Sequence, residues 1–486
     1  MKDQSFAMLI NGQPIHTEKT FPVINPETEE VIAEAPEVDA ASVELALKAA
    51  RDAFKTWSRM PLSQRQPIIL KYADLLEQHR DEIVDLLIAE TGKPLDNAEY
   101  DFGMLTTCLR FFCDEAARID QQVIPDPDGR FLHYTQRQPL GVVVGYLAWN
   151  FPLLNLGYKL GPVLASGCSA IIKPSQLTPL STLRCAELLV EAGLPPGVVN
   201  VISGTDYDVT NPLLQSDIPS LFTMIGSTGA GVGAMKSACT NVKHFSVELG
   251  GNAPVIVYDD ADVQAAAASV VGLKFANTGQ VCVSPNRCFV HEKVYESFLE
   301  AAKKIAEGIT LGAGSGTDSG TGSGTGQRMG PMLTAKDRDR VLGLVEAARR
   351  DGANLVCGGK RPDRPTKGYF MEPTILRDVK QSMRLSCDEI FGPVLPVIPF
   401  SDEDDVIAMA NDTEYGLAAY VYTTNLSRGL RAAAQIDAGS VCVNEVHYAV
   451  QLPHGGVKQS GVGKDCSRYS LQEYLTLKRV SVLIDT

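Results

Sequence analysis

The chain has 486 residues, long enough for two or more domains, with the 44% hydrophobic and 21% charged composition of a globular protein. A formal net charge of -14 argues against nucleic acid and anionic membrane surfaces as partners, since both call for concentrated positive charge. The N-terminal MKDQSFAMLINGQ lacks the apolar core of a secretory signal, no apolar run reaches the ~18 residues of a membrane helix, and a cytoplasmic location is expected. The 11 cysteines show neither CxxC pairs nor Cys/His zinc spacing, so no metal centre is expected. Most of them read as small buried hydrophobes in a reducing compartment.

In chain order, 9–12 and 21–26 read as short strands punctuated by turn residues. Val43, Ala46, Ala50, Phe54 and Trp57 recur at helical spacing. A second helix carries Ile69, Tyr72, Leu76, Ile83 and Leu87 on one face and stops at Gly92-Lys93-Pro94. From about 140 the texture changes. The near-continuous apolar run 141–147 is the pattern of a strand covered on both faces. A helix over 154–166, a strand over 169–174 and a helix over 181–192 follow, then strands at 198–202 and 221–225 and the glycine cluster 226–231. This alternation predicts a parallel, doubly wound sheet.

A second α/β set begins after Gly250-Gly251, with a strand at 254–258, a helix at 263–275, a strand at 289–291 and a helix at 294–307. The Gly/Ser/Thr run 312–326 reads as a flexible surface connector without chemistry. Helices at 341–347 and 406–410 and strands at 393–399 and 417–423 come next. The tail 475–484 reads as a strand able to pair with another subunit.

Four clusters carry candidate chemistry. In Asn277-Thr278-Gly279-Gln280-Val281-Cys282 a cysteine follows a glycine-containing turn, which can hold a thiol exposed near backbone N–H groups. In Val247-Glu248-Leu249-Gly250-Gly251 a carboxylate ends a strand, where it can deprotonate a thiol or a water. In Ala148-Trp149-Asn150-Phe151-Pro152 an amide sits at the carboxyl end of the first buried strand, placed to donate to an oxyanion. Asp388-Glu389-Ile390-Phe391 sets a carboxylate suited to ribose hydroxyls beside an aromatic ring. The glycine cluster Gly226-Ser227-Thr228-Gly229 departs from GxGxxG.

Together these clusters resemble the aldehyde dehydrogenase superfamily over nearly the whole chain. Asn25-Pro26, Pro139-Leu140-Gly141-Val142, Lys173-Pro174-Ser175, Gly416-Leu417-Ala418-Ala419 and Gly455-Gly456-Val457-Lys458-Gln459-Ser460-Gly461 extend the match. The resemblance implies NAD(P)-dependent oxidation of an aldehyde to its acid. Cys282 would be the nucleophile, Asn150 with the Cys282 N–H the oxyanion holder, Glu248 the base that hydrolyses the thioester, and Lys159 and Asp465 a proton relay. Cofactor contacts would come from Trp149, Lys173, Ser175, Gln176, Gly226, Ser227, Leu249, Gly250, Glu389 and Phe391. Gln176 stands where many NAD-preferring members place a glutamate, so NAD is favoured and NADP remains open. Glu248 argues for water rather than coenzyme A as acyl acceptor.

By the same resemblance Leu154, Tyr158, Val281, Val283 and the stretch 445–453 would line the aldehyde tunnel. His447 and His454 would meet a hydroxyl or an anion of the substrate. Small semialdehydes or hydroxyaldehydes, including succinate semialdehyde and sulfolactaldehyde, are the expected class. Aminoaldehydes are the alternative, and outside the class a non-catalytic binding protein on this scaffold. A cysteine hydrolase is disfavoured because no motif near Cys282 supplies a histidine base. The expected architecture is a cofactor domain at 1–118 and 140–249, a catalytic domain at 250–464 and a bridging element at 119–139 and 465–486, assembled as a homodimer or homotetramer.

Overall fold

The computed structural model describes residues 5–312 and 327–484. Residues 313–326, most of the expected Gly/Ser/Thr connector, lie outside the described residues. An α/β architecture places two large sheets around the site. In the eight-stranded sheet the central strands run Val199–Val201, Ser169–Lys173, Val142–Tyr146, Pro219–Ile225 and His244–Glu248, all parallel. Numbered in chain order this is 3-2-1-4-5, the doubly wound order whose crevice opens where strand 1 meets strand 4. Val142–Tyr146 is buried at every position, as its unbroken apolar run predicts. Met8–Ile10 and Gly461–Val462 add antiparallel strands at opposite sides.

The second sheet has seven strands, with Pro285–His291 and Ala253–Val257 at its centre, and all pairs are parallel except Asn354–Cys357 with Thr374–Arg377. A third, three-stranded sheet joins Leu475–Leu483 to Phe131–Pro139 and then to Val123–Ile124. The tail strand pairs on one side with Phe131–Pro139 and forms an edge of this sheet among the described residues.

Asp39 caps the helix Ala40–Trp57 by accepting from Ser42 N at 2.7 Å, and Val43, Ala46, Ala50 and Trp57 form its buried face. The single helix expected to stop at Gly92 is two, Leu62–Gln78 and Arg80–Thr91, broken at His79. Its apolar face continues across the break, so periodicity alone does not reveal it. Gly92 does end the second, in a left-handed conformation at φ 69°. A 22-residue helix over Leu95–Ala116 was not predicted. It packs on Pro152–Ser166, which is buried all round, because Gly157 and Gly161 leave no room for a side chain against Leu105 and Phe112. Among the described residues no helix is long and apolar enough to cross a membrane.

Candidate active site

The helix Val263–Phe275 gives way to a turn in which Asn277, Thr278 and Gly279 take φ of 45°, 60° and 71°. Asparagine and glycine tolerate this region, whereas β-branched threonine is strained there. The surroundings hold it: Thr278 Oγ1 donates to Gly330 O at 2.9 Å, and Gln280 Oε1 accepts from Leu333 N at 2.9 Å. The turn delivers Cys282 to a cavity just ahead of the strand Pro285–His291. Gly251 packs so closely that an added Cβ would lie 2.3 Å from Cys282 O. Gly251→Ala is therefore expected to displace Cys282 and lower kcat/KM by about 100-fold, because a shift near 1 Å suffices for that loss. Steady-state rates on folded protein check this.

Asn150 is fixed from behind by a buried ion pair. Lys93 Nζ donates to Asp101 Oδ2 at 2.7 Å and to Asn150 O at 2.8 Å, while Asp101 Oδ1 accepts from Leu154 N at 2.7 Å. Asn150 Nδ2 donates to Gln280 O at 3.1 Å, which ties the amide to the cysteine turn. An amide nitrogen has two hydrogens, so one is left for a ligand.

Glu248 ends its strand beside Ile225, and its Oε1 is buried without a hydrogen-bond partner. His454 Nε2 lies 3.8 Å from that oxygen. Ligand atoms of Glu248, Cys282 and His454 all fall within 4.8 Å of one another. The histidine that no local motif supplies thus arrives from a distant loop. Burial, and then the Glu248 carboxylate, push the Cys282 thiol well above its ordinary range. Behind them Lys159 Nζ donates to both oxygens of Asp465 at 2.7 and 2.9 Å, an ion pair shut off from solvent. Burial raises the Asp465 carboxyl, and Lys159 opposes that shift.

The cavity encloses about 470 Å³. Tyr158, Val281, Val283, Leu154 and His454 line it together with Cys282, Glu248 and Asn150. From the stretch 445–453 only Val446 and Tyr448 reach it, while Glu445 and His447 are exposed. Asn97, Tyr100 and Asn155 are lining residues the sequence did not single out.

A second cleft of about 610 Å³ meets the first at Ile225. Trp149, Lys173, Ser175, Gln176 and Ser227 line it, at the carboxyl ends of the central parallel strands. Gly226 leads into Ser227, which caps the helix Thr228–Ala238 by accepting from Ala230 N at 3.3 Å. At the end nearer Cys282, Trp149 meets Phe391 edge-on at 5.3 Å, and Glu389 Oε1 accepts from Gly251 N at 3.0 Å. Leu249 packs on Gly231, and Gly250 lies against the Glu389 carboxylate.

Residues 14–480 match the model of the aldehyde dehydrogenase family. A mitochondrial succinate-semialdehyde dehydrogenase of Arabidopsis thaliana is 39% identical over 97% of this chain and 88% of its own length. The chain belongs to the aldehyde dehydrogenase family. Among solved structures, an NADP-dependent enzyme of E. coli is 35% identical, with a TM-score of 0.94 covering 98% of both chains. An aldehyde dehydrogenase of Bacillus cereus in complex with NAD+ is 37% identical, with a TM-score of 0.94 over 99% of this chain and 97% of that one.

The enzyme is an NAD(P)-dependent aldehyde dehydrogenase, and its second cleft fits a dinucleotide. A Cβ added at Gly229 or Gly233 would meet nothing within 4 Å, so the first turns of the helix Thr228–Ala238 are left open. Backbone N–H groups at such a helix start suit a pyrophosphate. Burial lowers Lys173 to about 8 and raises Glu389 to about 7. Lys274, missed in the sequence, has a buried Nζ without a hydrogen-bond partner, lowered by burial to about 7 while Glu389 holds it up. The helical pattern marked position 274 only as part of a packing element.

Proposed function

We propose that this dehydrogenase oxidises a short, uncharged hydroxyaldehyde to its carboxylic acid through a thioester on Cys282. The observation that carries the reading is the convergence of Cys282, Glu248 and Asn150 on one cavity, with the cysteine and the carboxylate within 4.8 Å. The Cys282 sulfur, after losing its proton to a neighbouring base, attacks the aldehyde carbon and forms a C–S bond. The free hydrogen of Asn150 Nδ2 and the Cys282 N–H hold the oxyanion. Lys173, Ser227, Gln176 and Glu389 would hold NAD(P)+ in the adjoining cleft, where it would supply the acceptor for the hydride that the aldehyde carbon loses as the thioester forms. Glu248 then takes a proton from water as its oxygen attacks the thioester carbon; the C–S bond breaks and the acid leaves. Lys159 and Asp465 position the loop that carries His454 and offer a route for that proton.

The substrate class follows from the lining. Its polar side chains include Asp96, Asn97, Asn155, Tyr100, Tyr158, Tyr448 and His454, and no lysine or arginine is among the lining residues described. Hydroxyl groups are matched by such a set. A carboxylate-bearing semialdehyde is the second reading, favoured by the name of the Arabidopsis relative, with His454 as its partner. We assign cofactor binding to the eight-stranded unit, the nucleophile to the seven-stranded unit, and dimer or tetramer assembly to the three-stranded sheet. Leu477, Val482 and Leu483 lie exposed on the tail strand of that sheet.

The test is kcat/KM over lactaldehyde, glycolaldehyde, succinate semialdehyde, sulfolactaldehyde and an aminoaldehyde, each with NAD+ and NADP+. Highest efficiency with a hydroxyaldehyde is expected; a preference for the carboxylate or ammonium compounds would contradict the reading. In the same assay Gln176→Glu is expected to raise KM for NADP+ by about tenfold or more and leave NAD+ little changed, because the new carboxylate repels a 2′-phosphate.

A further inference from the structure

We propose that Cys282, His454 and Glu248 form a chelating site for a thiophilic divalent cation of the Zn2+ type, which reversibly blocks the enzyme. The sequence offers no zinc spacing; the fold assembles the donor set from three separate segments. One sulfur, one imidazole nitrogen and one carboxylate oxygen are a ligand set zinc favours, with the fourth position left to water. Bond lengths of ~2.3 Å to sulfur and ~2.0–2.1 Å to nitrogen and oxygen in a tetrahedral site put the nitrogen and oxygen about 3.3–3.4 Å apart and the sulfur about 3.5–3.6 Å from each. His454 Nε2 and Glu248 Oε1 stand at 3.8 Å, and all three ligand atoms lie within 4.8 Å of one another.

Two further observations point to a ligand here. Glu248 Oε1 is buried and accepts no hydrogen bond, so one carboxylate oxygen in the pocket is left for a ligand. His454 is anchored rather than loose. Its N donates to Asp465 O at 2.8 Å and its O accepts from Asp465 N at 2.6 Å. Its ring is flanked by those of Tyr158 at 6.1 Å and Tyr448 at 5.8 Å. A site of this softness and small donor number disfavours Mg2+ and Ca2+, which take six or more oxygens. The cation occupies the sulfur and carboxylate the reaction uses, so aldehyde and metal compete. The inhibition therefore rests on Cys282 as nucleophile, whereas cation binding does not.

Titration of the cofactor-free full-length enzyme with Co2+ reads the site by sulfur-to-cobalt absorption, and Zn2+ affinity follows by competition with a chromophoric chelator. One cation per chain is expected, with Zn2+ inhibition overcome by aldehyde and reversed by EDTA. His454→Phe and His454→Gln should each weaken Zn2+ binding by at least about tenfold, since losing a direct ligand costs no less than losing its outer-shell support. Cys282→Ser should abolish the cobalt band. Unchanged Zn2+ affinity in both His454 variants would mean that a lone thiol takes the metal and would overturn the site. Stoichiometric binding with uninhibited turnover, where Cys282→Ser is inactive, would overturn the regulatory role alone; an active Cys282→Ser enzyme would overturn the nucleophile reading.

Discussion

Cys282→Ala is expected to lower kcat for aldehyde oxidation by at least about 10⁴-fold while cofactor affinity stays within a few-fold of the parent. Nothing else in the described cavity lining offers a comparable nucleophile: Asn150, Asn155 and the tyrosines carry neutral groups, and Glu248 and His454, both within 4.8 Å of the sulfur, are placed as bases. The cofactor cleft lies beyond Ile225 and does not use the sulfur. Tryptophan fluorescence separates the two effects. Of the 2 tryptophans, Trp57 is fully buried in the helical layer and Trp149 lines the cleft, so quenching on cofactor addition reports binding alone. Retained quenching with lost turnover is the expected pair. Turnover within tenfold of the parent would remove Cys282 from the chemistry.

Glu248→Gln is expected to separate the two halves of the reaction. Thioester formation should continue, giving a burst of reduced cofactor equal to the enzyme present, and the later steady rate should fall by about 10²–10⁴-fold. The thiol itself reports the lost charge. Burial first and the Glu248 carboxylate second raise Cys282, so neutralising residue 248 lowers its pKa, and alkylation by iodoacetamide should shift to lower pH in the variant. A variant with no burst and an alkylation profile shifted upward would instead make Glu248 the base that activates the thiol.

Much of the fold is legible because burial dictates residue type. Strands such as Val142–Tyr146 and Ala253–Val257 are covered on both faces, and continuous apolar runs are the direct consequence. The helix Leu95–Ala116 is less legible because its buried face includes Asp101 and Thr106, which satisfy polar partners rather than follow an apolar stripe. Lys93 reads in sequence as part of a helix stop, yet it is the ion-pair partner that fixes the Asn150 loop. The site divides the same way. Cys282, Glu248 and Asn150 sit in local motifs and are visible one by one. Their juxtaposition with His454, and the exposed position of His447 only seven residues before it, depend on a loop path that no local pattern encodes.

The most direct test of the covalent mechanism is the intact mass of Glu248→Gln, acid-quenched after mixing with aldehyde and NAD(P)+. The covalent mechanism predicts a mass increase equal to the acyl group, located on the peptide carrying Cys282, and absent when cofactor is omitted or position 282 is alanine. A burst of reduced cofactor with no adduct on that peptide would contradict it.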